Sequence, residues 1–332
     1  MPTAIVSLGS NLGDRTATLD SAAAALDATP GVRVVRRSSW YETSPIGGPG
    51  FQEPFLNGAA ALETSLEPEA LLTELQRIEN EHGRIREEHW GPRTLDVDLL
   101  TYDDVVMHTP RLTLPHPRMS YRKFVLQGVV EVAPELKHPL LDRTFSELHR
   151  HLDGAANYVA FASGSASISI DFRSQFAAEA ADCGTARLVD ATPDDVPAFA
   201  ELIASRQTQM EKSLRFLSAR VAAIRESLAE ADSKWLVDDG WILAEEQELA
   251  QRNEVEKWKL YDATLVTRRF VELGIIPKLL VVLRAKHESP REAISGLKQL
   301  LPEIPLPPII DLDISDRERA LTEFAAALDA AR

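Results

Sequence analysis

The chain has 332 residues, 44% of them hydrophobic and 26% charged, with 36 basic against 51 acidic side chains and a net charge of −15. That length and composition predict two globular domains, and so acidic a surface excludes broad binding to nucleic acid or anionic membrane. A single cysteine, Cys183, excludes an intrachain disulfide and a cysteine-rich zinc site; with no apolar run near the roughly 18–20 residues that span a bilayer and no signal-peptide pattern, the expected setting is cytoplasmic.

Thr3 to Leu8 predicts a first strand, running into "GSNLGDR". That motif sits between a strand and a helix, where backbone N–H groups can meet phosphate. It lacks the Gly-Lys-Ser/Thr of a P-loop and the third glycine of a dinucleotide fingerprint, so it reads first as a tight structural turn. Residues 15–28 are Ala-rich and helical, and "ATPG" closes that helix. "VRVVRRSSWYET" (32–43) predicts a second strand, "PIGGPGFQEPF" (45–55) a Pro/Gly-rich loop, and "LNGAAALETS" (56–65) a third strand. Pro68 opens a helix whose Leu71, Leu72, Leu75 and Ile78 share one apolar face, and Gly83 stops it. A polar loop follows, then a strand over "TLDVDLL", a hairpin and a short helix in "YRKFVLQGVVEV". This order fits an α+β sandwich.

Within "GPRTLDVDLL", Asp96 and Asp98 fall on one side of the strand and Leu95, Val97 and Leu99 on the other. The two carboxylates stand roughly 6–7 Å apart and repel each other unless something positive lies between them. An edge strand with a solvated face is one reading. The arginines favour another. Arg84, Arg86 and Arg93 precede the pair, and Arg111, Arg118 and Arg122 follow it. Carboxylates that hold Mg²⁺ beside guanidinium groups that hold phosphate oxygens suit metal-nucleotide chemistry. On that reading the missing positive charge is Mg²⁺, not a side chain. Trp90 and His116 border the same region.

Residues 161–186 turn to Ala, Gly and Ser and predict a linker, with one strand possible at 166–172. Residues 187–332 predict a mainly α-helical domain. Met210, Leu214, Leu217, Val221, Ile224 and Leu228 form a narrow heptad seam, suited to packing or to self-association or a protein partner through 210–228. "DDG" (238–240) predicts a turn, 241–272 a long charged helix, and "SPRE" and "SDRE" two capping boxes. "IIDLDIS" repeats the D-x-D pattern with Asp311 and Asp313, but the prolines before it argue for a turn or edge strand rather than a second metal site.

Four collinear segments, "SLGSNLGDR", "YETSPIGGPGFQEPFLNGAAALET", "HWGPRTLDVDLLTYDD" and "LPHPRMSYRKFVL", resemble the 6-hydroxymethyl-7,8-dihydropterin pyrophosphokinase family of folate biosynthesis over residues 1–150. The resemblance implies a ferredoxin-like α/β/α sandwich in a domain of residues 1–160. It also implies transfer of the β,γ-pyrophosphoryl group of ATP to the pterin hydroxymethyl oxygen, with AMP released. Carried over position by position, Asp96 and Asp98 would hold two Mg²⁺ ions, and Arg84 and Arg93 would close over ATP with Arg86. Gln76, Glu79, Arg111, His116, Arg118 and Arg122 would face the nucleotide. Thr43, Ser44, Ile46 and Asn57 would meet the pterin edge, Phe55 and Phe124 would sandwich it, and Trp90 would border it. Two departures stand out: "EEH" before Trp90, where relatives often carry a basic residue and one residue more, and Gly128 in place of a common proline. For the C-terminal half, a partner-binding or packing module stands beside a second catalytic activity in 187–332; a fused dihydropteroate synthase barrel of about 250 residues would not fit.

Overall fold

The structure, a computed structural model, describes residues 1–46, 52–83, 93–163, 170–182, 186–188, 221–229, 235–238, 270–284, 294, 298 and 305–332. They fall into two compact units, Met1–Leu152 with Asp329–Arg332, and Asp153–Leu328.

The first unit is built on an antiparallel sheet. Its strands are β1 (Thr3–Ser10), β2 (Val32–Arg37), β3 (Tyr41–Thr43), β4 (Phe55–Thr64) and β5 (Asp96–Tyr102), in the order β2-β4-β1-β5 with β3 also on β4. Helix α1 (Arg15–Asp27) begins at Asp14, whose carboxylate accepts the Ala17 N–H at 3.0 Å. Helix α2 (Pro68–Glu81) has its proline in the first turn, where no donor is needed. Val6, Leu8, Leu62, Val97 and Leu99 of the sheet bury against Leu19 and Leu26 of α1 and Leu71, Leu75 and Ile78 of α2. The period-2 alternation of β5 thus sends Val97 and Leu99 into this core and leaves Asp96 and Asp98 on the opposite face. A small hairpin, β6 (Met107–His108) with β7 (Thr113–Leu114), leads to α3 (Lys123–Val132), which packs on β4, and α4 (Phe145–Gly154) follows.

The strand expected over 32–43 is broken in two. Its register on β4 shifts between Val34 and Arg36, leaving Val35 51% exposed. The chain then leaves the ladder where the Ser38 hydroxyl accepts the Ala59 N–H (2.8 Å) and the Trp40 indole donates to Asp20 (2.9 Å).

The second unit carries a sheet that the expectation of a linker over 161–186 and a mainly helical domain over 187–332 did not include. Residues 161–186 contain the end of β8 (Tyr158–Ser163), helix α5 (Ile170–Asp182) and the start of β9 (Ala186–Leu188). With β10 (Trp235–Asp238), β11 (Leu279–Arg284) and β12 (Ile309–Asp313) they form a five-stranded, wholly parallel sheet in the order β12-β11-β8-β10-β9. Parallel strands covered on both faces read as continuous apolar runs, and "LLVVL" is one. Phe161 of β8 lies 6.0 Å from the Phe176 ring of α5 and 5.5 Å from the Phe324 ring of α6 (Arg317–Ala330). That last helix is capped by Asp316, whose carboxylate accepts the Arg319 N–H at 3.1 Å, not by Ser315 of the expected capping box. Residues 221–229 are helical. Residues 210–220 of the heptad seam, residues 241–269 of the helix expected over 241–272 and "SPRE" lie outside the described residues. Among the described residues no helix is long and apolar enough to cross a membrane.

Candidate active site

Three strands put the polar groups side by side. Gly9 of β1 stands between Asn57 of β4 and Asp96 of β5, and Ser7 between Ala59 and Asp98. A Cβ at Gly9 would come within 2.7 Å of the Asn57 amide oxygen, so only glycine leaves that amide its place. The Asn57 amide in turn donates to Thr43 Oγ1 at 2.6 Å.

These residues open onto a cavity that is itself open to solvent. Of the residues carried over from the sequence, Thr43, Ser44, Ile46, Phe55, Asn57, Arg93, Asp96, Asp98, Arg122 and Phe124 line it. An amide, a hydroxyl and two aromatic rings at one end, with two carboxylates and two guanidinium groups beside them, can hold a flat polar heterocycle next to a polyphosphate.

Arg93 Nη1 donates to Asp96 Oδ2 at 2.6 Å, so the positive charge expected to be a metal ion alone is here supplied partly by a side chain. The Arg122 guanidinium lies 5.7 Å over the Phe124 ring; burial lowers its pKa, while Tyr121, Asp98 and Asp96 favour its charge. His116 places Nε2 3.9 Å from Asp98 Oδ2. Burial first, then the Arg122 and Arg118 charges, push its imidazole down to about 3, so it is neutral at pH 7.

Other expected residues stand outside the lining of the cavity. Glu79 is buried, and its Oε1 accepts the Val97 N–H at 2.8 Å, covering the open edge of β5 rather than lining the cavity. Arg111 donates to Thr73 Oγ1 of α2 at 3.3 Å, and neither it nor Gln76, His116 or Arg118 lines the cavity. Arg84, Arg86 and Trp90 lie outside the described residues. The sequence reading missed Asn11. It is 2% exposed; its amide oxygen accepts the Arg93 N–H at 2.7 Å, and its Nδ2 donates to the Glu53 carbonyl at 3.3 Å. "GSNLGDR" is therefore a clamp on the residues that flank the cavity. Its Arg15 donates to the Pro54 carbonyl at 2.7 Å and to Glu42 at 3.0 Å.

The donor set also fits magnesium. Among the described residues no group of three or more His, Cys, Asp or Glu could hold a metal. Mg²⁺ is typically bound by one or two carboxylates, with waters and substrate phosphates completing the shell. Asp96 and Asp98 offer that minimum.

Residues 5–134 match the family described as 7,8-dihydro-6-hydroxymethylpterin-pyrophosphokinase (HPPK). The 2-amino-4-hydroxy-6-hydroxymethyldihydropteridine pyrophosphokinase of Synechocystis sp. is 44% identical over 153 residues, 46% of this chain and 77% of the relative. That of Methylorubrum extorquens is 46% identical over 136 residues, 41% of this chain and 85% of the relative. A solved Plasmodium falciparum HPPK-DHPS with pteroate aligns over 98% of this chain and 79% of its own, at 12% identity and a TM-score of 0.36, a likeness too low to inform the fold. At the identities of the first two, sustained over most of each relative's length, the chain belongs to the 6-hydroxymethyl-7,8-dihydropterin pyrophosphokinase family through its first unit.

Proposed function

We propose that the first unit transfers the β,γ-pyrophosphoryl group of ATP to the hydroxymethyl oxygen of 6-hydroxymethyl-7,8-dihydropterin in folate biosynthesis, in the cytoplasm. The observation that carries this reading is the shared cavity. Asn57 and Thr43 stand beside Phe55 and Phe124, next to Asp96, Asp98, Arg93 and Arg122. We read its scaffold as the ferredoxin-like α/β/α sandwich of the family, with α1 and α2 on one face of the antiparallel sheet and α3 on the other.

In this reaction the pterin oxygen forms a bond to the β-phosphorus, the bond from that phosphorus to the α–β bridging oxygen breaks, and AMP leaves with that oxygen. The hydroxyl proton is released. Asn57 and Thr43 hold the pterin edge, and the two phenylalanine rings fix its plane. Arg93 and Arg122 hold phosphate oxygens and orient the β-phosphorus toward the hydroxymethyl group, so that positioning and charge supply most of the acceleration. Asp96 and Asp98 would hold two Mg²⁺ ions, whose charge would offset that developing on the transferred phosphates. Neutral His116, beside Asp98, can donate one hydrogen bond to the triphosphate without adding charge. Arg84, Arg86, Arg111 and Arg118, with Gln76 and Trp90, complete the surround of ATP and pterin in this reading. The decisive experiment incubates the full chain with Mg²⁺, ATP and the pterin alcohol. AMP and the pterin diphosphate are expected in equal amounts; ADP, or no turnover, would overturn the assignment.

The second unit supports a second reading, that the chain is bifunctional rather than carrying a packing module. Its first strand, β8, is central, and the chain runs from it to β9 on one side and later to β11 and β12 on the other. In open parallel sheets ligands bind outside the carboxyl ends of the strands at such a switch point. Asp238, Arg284 and Asp313 end three of these strands. ATP binding that survives in an Asp96→Ala/Asp98→Ala chain and is lost on adding Arg284→Met would favour this reading; no residual binding would count against it.

A further inference from the structure

Tyr41 has no role in the chemistry above, yet it lines the cavity. Its hydroxyl donates to the Phe124 carbonyl at 2.6 Å. The Gly128 backbone passes close to the same phenol oxygen, 2.6 Å from where a Cβ at 128 would stand. Phe124 and Gly128 are four residues apart in α3, so the phenol bridges β3 to the first turn of that helix through the Phe124 carbonyl and packs against Gly128. Burial first raises the Tyr41 pKa well above its ordinary value of 10.0, and Glu131 raises it further against the opposing Gly128 contact, so the phenol keeps its proton and remains a donor.

The bridge depends on glycine at 128. A Cβ there would stand 2.6 Å from the Tyr41 hydroxyl, 3.0 Å from the Ala59 nitrogen and 3.2 Å from the Ala59 Cβ. Both sides of that contact bear on the site. Ala59 belongs to β4, two residues from Asn57 and on the same face; Phe124 and Arg122 stand at the start of α3. The strand Tyr41 comes from, β3, pairs Tyr41 with Asn57 and Thr43 with Phe55. The phenol therefore ties the strand that carries one wall of the cavity to the helix turn that carries the opposite ring.

We propose that Tyr41 is a positioning residue for the pterin, holding the Phe124 ring in register with Asn57 and Phe55 through the Phe124 carbonyl, and that Gly128 is what admits its hydroxyl. This rests on the pterin reading of the cavity. The substitution Tyr41→Phe removes one oxygen and keeps the ring. In the full chain it raises the KM for the pterin, and its Kd followed by pterin fluorescence, by about three- to tenfold, the effect of one neutral hydrogen bond. The KM for ATP stays within about twofold, because the phosphate end of the cavity is held by other residues. Gly128→Ala raises the pterin KM in the wild-type background. It costs less in the Tyr41→Phe background, where the hydroxyl it collides with is gone, so the double-mutant cycle is non-additive. A pterin Kd unchanged by Tyr41→Phe, equal rises in both KM values, or an additive cycle would each overturn the inference while leaving the pterin reading intact. Absence of pterin binding in the wild-type chain would overturn both.

Discussion

Asp96 and Asp98 show how far a single residue's setting decides its use. Both lie on the cavity face of β5, and Arg93 neutralises only the first by direct contact. Two carboxylates so placed are unfavourable unless phosphate-bound cations complete them. Asp96→Ala and Asp98→Ala are each expected to lower turnover by at least about a hundredfold, the scale of losing one element of transition-state charge stabilisation. Pterin affinity, measured without ATP, should fall much less. Steady-state kinetics decides the matter, and near-native rates would return the pair to a solvated edge strand. Asp20 is a purely structural counterpart. The Trp40 indole N–H first, and then Arg37, hold its carboxyl below the ordinary 3.8. A carboxyl lowered on folding contributes stability that is present above its unfolded pKa and lost as pH falls through the lower folded value. A carboxylate NMR titration should place Asp20 below 3.8 in the wild-type chain. In Trp40→Phe it should move back up; a titration indifferent to that change would break the link.

Among the elements, the β5 edge illustrates what a sequence can and cannot disclose. The alternation of Leu95, Val97 and Leu99 against Asp96 and Asp98 is a period-2 signal, so the strand and its two faces were legible. The role of Glu79 was not. Nothing local says that a helix carboxylate will turn inward to meet the Val97 N–H on an open sheet edge. Asn11 was hidden for the same reason, since its partners Arg93 and Glu53 are distant in sequence. The parallel strands failed differently. "LLVVL" is apolar on both faces, and a short run of that kind carries no periodicity to separate strand from buried helix. Glu79 yields a test at this scale. Glu79→Ala leaves a buried N–H unpaired and should destabilise the first unit by about 1–3 kcal/mol. Glu79→Gln keeps an acceptor and should cost less. Denaturant unfolding distinguishes them, and equal losses would mean that the carboxylate does not cover the edge.

On the scale of the whole molecule, two sheets of opposite kind share one chain, and every cavity residue belongs to the first unit, which carries the antiparallel one. The parallel sheet has its own partly buried ion pair. Arg284 Nε meets both Asp311 oxygens, at 2.8 and 2.9 Å, and Arg284 Nη1 stands 3.8 Å from Asp313. Burial raises the Asp311 pKa against the lowering effect of Arg284, so the pair lowers the cost of a carboxylate that the sheet has largely desolvated. Removing one member of a buried pair strands the other, typically at about 3–5 kcal/mol. Asp311→Ala should fall at or below the low end of that range, because Asp313 remains near the guanidinium. Unfolding followed at Trp235, which is buried in β10 of the same sheet, should shift accordingly. Pterin-dependent AMP formation should persist at temperatures where the second unit has begun to open, because none of the residues assigned to that reaction lies in it. If AMP formation and the second unit's unfolding were instead lost together, the two units would be one cooperative structure and the pterin site would depend on both.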